Sequence, residues 1–289
     1  MTFRTPVTDL IRRRYSCRKY VKEPIDDGRR RRLAKFLLAS STGPLGTRAR
    51  FQLLAATEGD TSALRGLGTY GMVRDAPGFL VGAAEPGAKN LEDCGYLLER
   101  AVLAATDLGL ATCWLGGTFS KSRFAERIGL APGESMPAVA AVGIAAEGSR
   151  SGWVRRQAGS DSRLPPGRLF FDGELGTPIT PERAGPYGEP LEMVRWAPSA
   201  SNKQPWRVLR RGATWDFYLQ RTKGYGRGTL AFKLLGLADL QRVDLGIAMC
   251  HFELAARQLG LKGGWTVRKP QPREPNEGTE YTVTWEAAD

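Results

Sequence analysis

The chain has 289 residues, 42% hydrophobic and 25% charged, the balance of a globule that can bury a sizeable core without a disulfide or metal staple. Its formal charge of +12 gathers at one end, since residues 1–50 hold 14 Lys and Arg against four Asp and Glu. Four cysteines without a CxxC pair argue against a structural zinc site, a single histidine excludes HExxH proteases, and the lack of a GxSxG elbow makes a hydrolase triad remote, while no apolar stretch approaches the ~18 residues of a membrane helix. The N-terminus has Arg4, Asp9 and Arg12 to Arg14 where a secretory signal needs an apolar run, so the expectation is a cytoplasmic protein with no membrane partner and no metal.

In chain order, 8–13 reads as a short helix, followed by Arg14-Tyr-Ser-Cys-Arg18. Alternate residues of an extended segment face one way, so Arg14, Ser16 and Arg18 either converge on a phosphate-like oxyanion or stand as three polar residues on an exposed strand. A helix over 26–39 sets Arg29 to Arg32 opposite Leu33, Phe36 and Leu37, the pattern of a solvated face. No aromatics interleave with those arginines, so no nucleic-acid partner is expected. Apolar runs at 51–56, 79–84 and 138–146 predict buried strands, and 121–129 a helix. Gly66-Leu-Gly-Thr-Tyr-Gly71 spells a dinucleotide fingerprint, but without a strand before it or a helix after it the reading is a loop. Trp114-Leu-Gly-Gly117 reads as a loop in which two glycines bring bare N–H groups to a pocket.

Beyond a connector rich in Gly, Pro and Ser, a helix is predicted over 189–196 and strands over 206–209, 215–219 and 281–285. Between them, Ala197-Pro-Ser-Ala-Ser-Asn-Lys-Gln-Pro-Trp206 offers small residues that admit a flat ligand, with the amides of Asn202 and Gln204 nearby. An internal repeat organises the whole: residues 93–114 align without a gap on 244–265, with nine identical pairs including Asp93/Asp244, Gly95/Gly246, Gly109/Gly260 and Trp114/Trp265. Chance would give about two in so Ala-, Gly- and Leu-rich a segment, which points to duplication. Each copy predicts a long helix, apolar nearly all round and stopped by a glycine, suited to the boundary between two similar units. The expected organisation is one half over 1–150, a connector over 151–186 and a second half over 187–289.

Together, Arg14-Tyr-Ser-Cys-Arg-Lys-Tyr20, Trp114-Leu-Gly-Gly117, Ser162-Arg-Leu-Pro165 and the 197–206 run resemble the flavin-binding stations of the nitroreductase family of FMN-dependent oxidoreductases. The similarity is to the subgroup in which two nitroreductase-like halves are fused. It implies an α+β nitroreductase-like fold, internally duplicated so that one chain mimics the family homodimer, and a monomer holding one FMN. Arg14, Ser16, Arg18 and Arg163 would then hold the phosphate and ribityl chain, Gly116 and Gly117 would face the isoalloxazine edge, and Pro198, Ser199, Ala200 and Asn202 would close the site from the second half. Asp161 stands where the family often has a base. The first half has Ala39-Ser-Ser-Thr-Gly-Pro44 in place of the Pro-Ser loop, and the second lacks both the Arg-x-Ser-x-Arg segment and the Gly-Gly turn, so one composite site is expected to survive.

The resemblance implies electron transfer from NADH or NADPH to a nitroaromatic, quinone or similar acceptor in two steps. The chemistry would lie on the flavin and on no catalytic side chain. The alternative is a flavin-binding protein without turnover. The segment 221–239, with Lys223, Tyr225, Arg227 and Phe232, is expected at the rim of an open flavin face, and His251 as a buried structural residue outside the site.

Overall fold

Two long helices pack against each other at the centre, each carrying a sheet on its far side. The computed structural model describes residues 3–39, 41–151, 159, 162–223, 238–268 and 278–288. Helices α1 (Val7–Arg13) and α2 (Asp27–Leu38) open the chain. Asp26 caps α2 by accepting the Arg29 N–H at 3.0 Å, and Leu33, Phe36 and Leu37 are buried while Arg31 and Arg32 are exposed, as the periodicity predicts. Strands β1 (Ala49–Ala55), β2 (Gly78–Ala84), β3 (Ala111–Leu115) and β4 (Val139–Gly143) form an antiparallel sheet in the order β1-β2-β4-β3. Helix α3 (Asn90–Asp107) covers its inner face, with α4 (Lys121–Arg127) following β3.

The second sheet contains β5 (Phe170–Asp172), β6 (Trp206–Arg211), β7 (Thr214–Gln220), β8 (Gly263–Thr266) and β9 (Thr279–Ala287), in the order β5-β6-β7-β9-β8. Helix α5 (Pro181–Ala184) is a single turn, α6 (Gly188–Trp196) leads into the 197–205 loop, and α7 (Leu240–Gln258) covers the sheet. The order β6-β7-β9-β8 retraces β1-β2-β4-β3 strand for strand, again all antiparallel. Among the described strands only β5 has no counterpart, and it pairs in parallel with β6 at the sheet edge.

Sequence periodicity missed β3, β5 and β8, and Trp114 and Leu115 belong to a strand and not to a loop. The runs Ala-Thr-Cys-Trp-Leu and Gly-Gly-Trp-Thr are too short and too mixed to show a period of two, and only their sheet neighbours make them strands. Gly66 to Gly71 lies in irregular backbone, as its flanks indicate.

α3 and α7 end in the same way. Gly109 and Gly260 take φ values of +77° and +76°, and the N–H groups of Leu110 and Leu261 reach back to the carbonyls of Ala105 and Ala256. Their crossing is reciprocal. A Cβ on Gly95 would strike the backbone carbonyl of Val243, and one on Gly246 would strike that of Glu92. Gly95/Gly246 and Glu92/Val243 are both pairs in the 151-residue register, so residue i meets the counterpart of j while j meets the counterpart of i, the signature of an isologous two-fold contact. Most residues of both helices are buried, and one hydrophobic cluster runs through both. Among the described residues, no helix is long and apolar enough to cross a membrane.

Candidate functional site

After α1 the chain runs along the edge of β3. Ser16 bridges Thr112 in parallel, and the Cys17 N–H donates to the Thr112 carbonyl at 2.8 Å. Tyr15 and Cys17 turn into the cluster around Phe79 and Phe124, leaving Arg14, Ser16 and Arg18 on the opposite side of the extended backbone. The Arg14 side chain is 4% exposed, with its Nε 3.9 Å from Glu99 Oε1. Arg18 makes a long contact of 3.5 Å to the Met72 carbonyl. Two donors beside Ser16, Arg18 Nε and Thr112 Oγ1, are buried without a hydrogen-bond partner among the described residues. Buried donors of this kind are costly unless an acceptor meets them, and an acceptor-rich anion fits them.

At the end of β3, Gly116 packs against the second half. A Cβ there would lie 2.6 Å from Leu240 Cδ1, at the first residue of α7, so a side chain at this turn would have to displace the Leu240 side chain. Gly117 is exposed. One helical turn beyond Leu240, the Asp244 carboxylate accepts the Ala200 N–H at 3.0 Å. Residues at i and i+4 share a helix face, so the glycine turn of the first half and the 197–205 loop of the second meet at the N-terminal end of α7.

That loop is strained. Ser201, Asn202 and Gln204 have φ values of +50°, +53° and +49°, a left-handed conformation costly for residues with a Cβ and one that clusters at functional sites. The connector holds it in place. The Asn202 amide donates to the carbonyls of Gly159 and Ser162 at 2.7 and 2.9 Å, buried Gln204 accepts the Leu164 N–H at 2.8 Å, and the Ser199 hydroxyl accepts the Gln204 N–H at 2.8 Å. Arg163 donates to Asn202 Oδ1 and to the Trp196 carbonyl, which places it with Pro198, Ser199, Ala200 and Asn202 as part of the loop's own scaffold. The structure therefore gathers the predicted residues into two groups, Arg14, Ser16, Arg18, Gly116 and Gly117 before the connector, and Arg163 of the connector with Pro198, Ser199, Ala200 and Asn202 beyond it.

Sequence reasoning missed Glu99. Its side chain is fully buried, and Oε2 accepts the Trp114 indole N–H at 2.7 Å while Oε1 lies 2.9 Å from His251 Nε2. His251 is buried, as expected, with Nδ1 2.9 Å from the Met193 carbonyl. A glutamate in the middle of an otherwise largely apolar helix was the available signal, because such a residue must find buried partners. Burial also pushes the Asp244 carboxyl well above the usual carboxylate range, opposed by the Ala200 N–H.

The symmetry-related location differs at each step. Counting 151 residues on from Gly116 and Gly117 gives Val267 and Arg268, and Arg268 pairs with Glu286 at 2.6 Å. Asp93, the counterpart of Asp244, holds two backbone N–H groups of the 41–47 loop, those of Leu45 and Thr47. Arg221, which opens the 221–239 segment expected at the rim of the flavin face, is paired with Asp239 and Glu280 at 2.7 and 2.8 Å. Tyr225, Arg227, Phe232 and Asp161 lie outside the described residues, and Lys223 is exposed.

A family model described as "Putative TM nitroreductase" matches residues 6–256. Among solved structures, a "putative nitroreductase" from Thermotoga maritima covers 99% of this chain and 95% of its own at 17% identity, with a TM-score of 0.62. Nitroreductases from Bacteroides fragilis and Desulfitobacterium hafniense, both described with bound FMN, each cover 50% of this chain and 90% of their own at 23% identity and a TM-score of 0.38. No curated protein matches the sequence.

Proposed function

The chain belongs to the nitroreductase family whose model spans residues 6–256, and on that premise we propose that it is an FMN-dependent oxidoreductase moving electrons from NADH or NADPH to a nitroaromatic, quinone or similar acceptor. The observation that carries the reading is the meeting of two unlike stations at the N-terminal end of α7: the Gly116 turn with the Arg14 to Arg18 segment from one half, and the strained 197–205 loop from the other. Supporting it, Arg18 Nε and Thr112 Oγ1 are buried donors awaiting an acceptor next to Ser16, which suits a phosphate.

Bound there, FMN supplies hydride acceptance and onward electron transfer. The chain's own residues do the rest. Arg14, Ser16 and Arg18 provide charge and donors for the phosphate end, while Gly116 and Gly117 leave room and bare N–H groups at the ring edge. Pro198, Ser199, Ala200 and Asn202 wall the pocket, fixed in their costly conformation by Arg163, Gln204 and Asp244.

The same reading makes the chain an internally duplicated unit, with one half over 1–150, a connector over 151–186 and a second half over 187–289. The reciprocal glycine crossing and the matching strand order support this. A monomer with one flavin follows, because the α3–α7 seam already occupies the surface a homodimer would share. Anaerobic mixing of the FMN-loaded protein with NADH and with NADPH, followed by absorbance, tests the function. Bleaching by either nucleotide, and re-oxidation by a quinone or nitroaromatic, is the expected result. Failure of both nucleotides leaves the non-catalytic flavin-binding alternative in its place.

A further inference from the structure

Three part-buried arginines of the second half each face a carboxylate: Arg221 meets Asp239 at 2.7 Å, Arg242 meets Glu92 at 2.6 Å and Arg210 meets Asp172 at 3.3 Å. Arg207 differs. It is part-buried too, yet its guanidinium donates only to two backbone carbonyls, those of Gln204 at 3.2 Å and Trp206 at 2.6 Å, and has no ion pair among the described residues. A charge drawn out of water without a counter-ion is costly, so its retention calls for an anion.

Trp206 and Val208 belong to the central core, so alternation along β6 turns Arg207 to the outer face of the second sheet, at the foot of the 197–205 loop. Arg168 comes up beside it. β5 and β6 run in parallel and the Val208 N–H donates to the Leu169 carbonyl at 2.8 Å, so Arg168 and Arg207 each stand one residue before this bond at the same end of the pair. Arg168 is exposed and likewise has no ion pair among the described residues. The carboxylates of β5 and β7, the two neighbours of β6, are already taken, Asp172 by Arg183 and Arg210, and Asp216 by Arg211 and the Thr284 hydroxyl. Burial lowers the Arg207 guanidinium to about 10, and the charge of Arg168 adds to the effect, so the two cations feel each other.

We infer that Arg168 and Arg207 form a binding site for a phosphate monoester dianion. Two guanidinium groups bring two charges and forked donors, which match a group with two negative charges and three acceptor oxygens; a carboxylate offers one charge. Arg207, tied to the start of its strand by two carbonyls, is the fixed half of the site, and Arg168, exposed at the end of the 166–168 turn, is the half that meets the ligand from solvent. Neither residue belongs to the flavin stations described above, so the inference does not need the flavin reading. The chemistry is that of the 2′-phosphate of NADPH and of free phosphate alike, whereas NADH carries only a diester.

Inorganic phosphate titrated by calorimetry into the FMN-saturated protein, with chloride at equal ionic strength as the reference, tests it. Saturation with FMN keeps the probe from reporting on the Arg14 to Arg18 segment. Wild type should bind phosphate saturably, and Arg168→Gln and Arg207→Gln should each weaken binding about tenfold, the size of one charge-assisted hydrogen bond. Arg168 is exposed, so its variant folds whatever the fate of Arg207→Gln. No saturable binding beyond that of chloride, or an affinity unchanged in Arg168→Gln, overturns the inference. Displacement of the phosphate by NADPH and not by NADH supports the site with the 2′-phosphate as its source, displacement by neither supports it with free phosphate, and equal displacement by both overturns the monoester assignment. A protein that takes up no FMN yet loses phosphate binding in both variants sinks the flavin reading and leaves this inference standing.

Discussion

After α3 and after α7 the chain makes the same glycine turn, enters a strand and sets an indole against a glutamate, yet two residues later the two halves no longer resemble each other. The first continues through Gly116 and Gly117 beside α7, whereas the second continues through Val267 and Arg268, whose guanidinium is tied to Glu286. The loops before the sheets differ likewise. The 41–47 loop is held by two N–H groups on Asp93 and has positive φ only at Gly46, while the 197–205 loop has one N–H on Asp244 and three non-glycine residues in the left-handed region. What the two regions share lies at the α3–α7 seam; what they do not share surrounds the proposed flavin site. Strain present in the 197–205 loop and absent from the 41–47 loop is the mark of a role beyond folding.

The likeness at the seam should break most expensively. Gly95→Ala and Gly246→Ala each push a methyl into a backbone carbonyl that has no room to move, and each should destabilise the fold by about 3 kcal/mol in urea denaturation. Equal costs would sharpen the two-fold comparison, and a cost at only one glycine would break it. Next comes the difference at the site. Arg18→Ala should weaken FMN by about 2 kcal/mol in a fluorescence titration, the size of a charge-assisted pair, and unchanged affinity would remove Arg18 from the phosphate site.

The two aspartates separate the loops on a finer scale. Asp93→Asn places an amide nitrogen against a backbone N–H and should cost about 2 kcal/mol, whereas Asp244→Asn keeps its single acceptor role and should cost under about 1 kcal/mol. Burial raises both carboxyls above their ordinary values, so the folded chain binds these protons more tightly than the unfolded one. Stability attributable to them is therefore fully present below about pH 4 and is lost as pH rises toward the raised values. Urea midpoints across that range should flatten more in Asp244→Asn than in Asp93→Asn, because Asp244 is the more strongly shifted. The smallest effect belongs to Arg268→Ala, which breaks a half-exposed ion pair and should change stability by less than about 0.5 kcal/mol.

Much of this was legible in the sequence. The repeat gave both central helices and their glycine stops, and the glycine shared by Gly95 and Gly246 is the residue that lets them cross. Alternation placed Arg14, Ser16 and Arg18 on one side of the chain. Three kinds of feature were not legible. β3 and β8 are strands only because a sheet neighbour pairs with them, and β5 owes its place to β6 across the connector. Glu99 and His251 lie 152 residues apart, so neither helix alone reveals their contact. The strain at Ser201, Asn202 and Gln204 comes from partners at 159–164, a tertiary constraint overriding local preference.

The central claim is that one chain completes one flavin site from two unlike halves. Flavin content per chain, measured by absorbance after saturation with FMN and gel filtration with in-line light scattering, tests it most directly. The account predicts a monomer carrying one FMN; two flavins per chain, or flavin retained only by an obligate dimer, would contradict it.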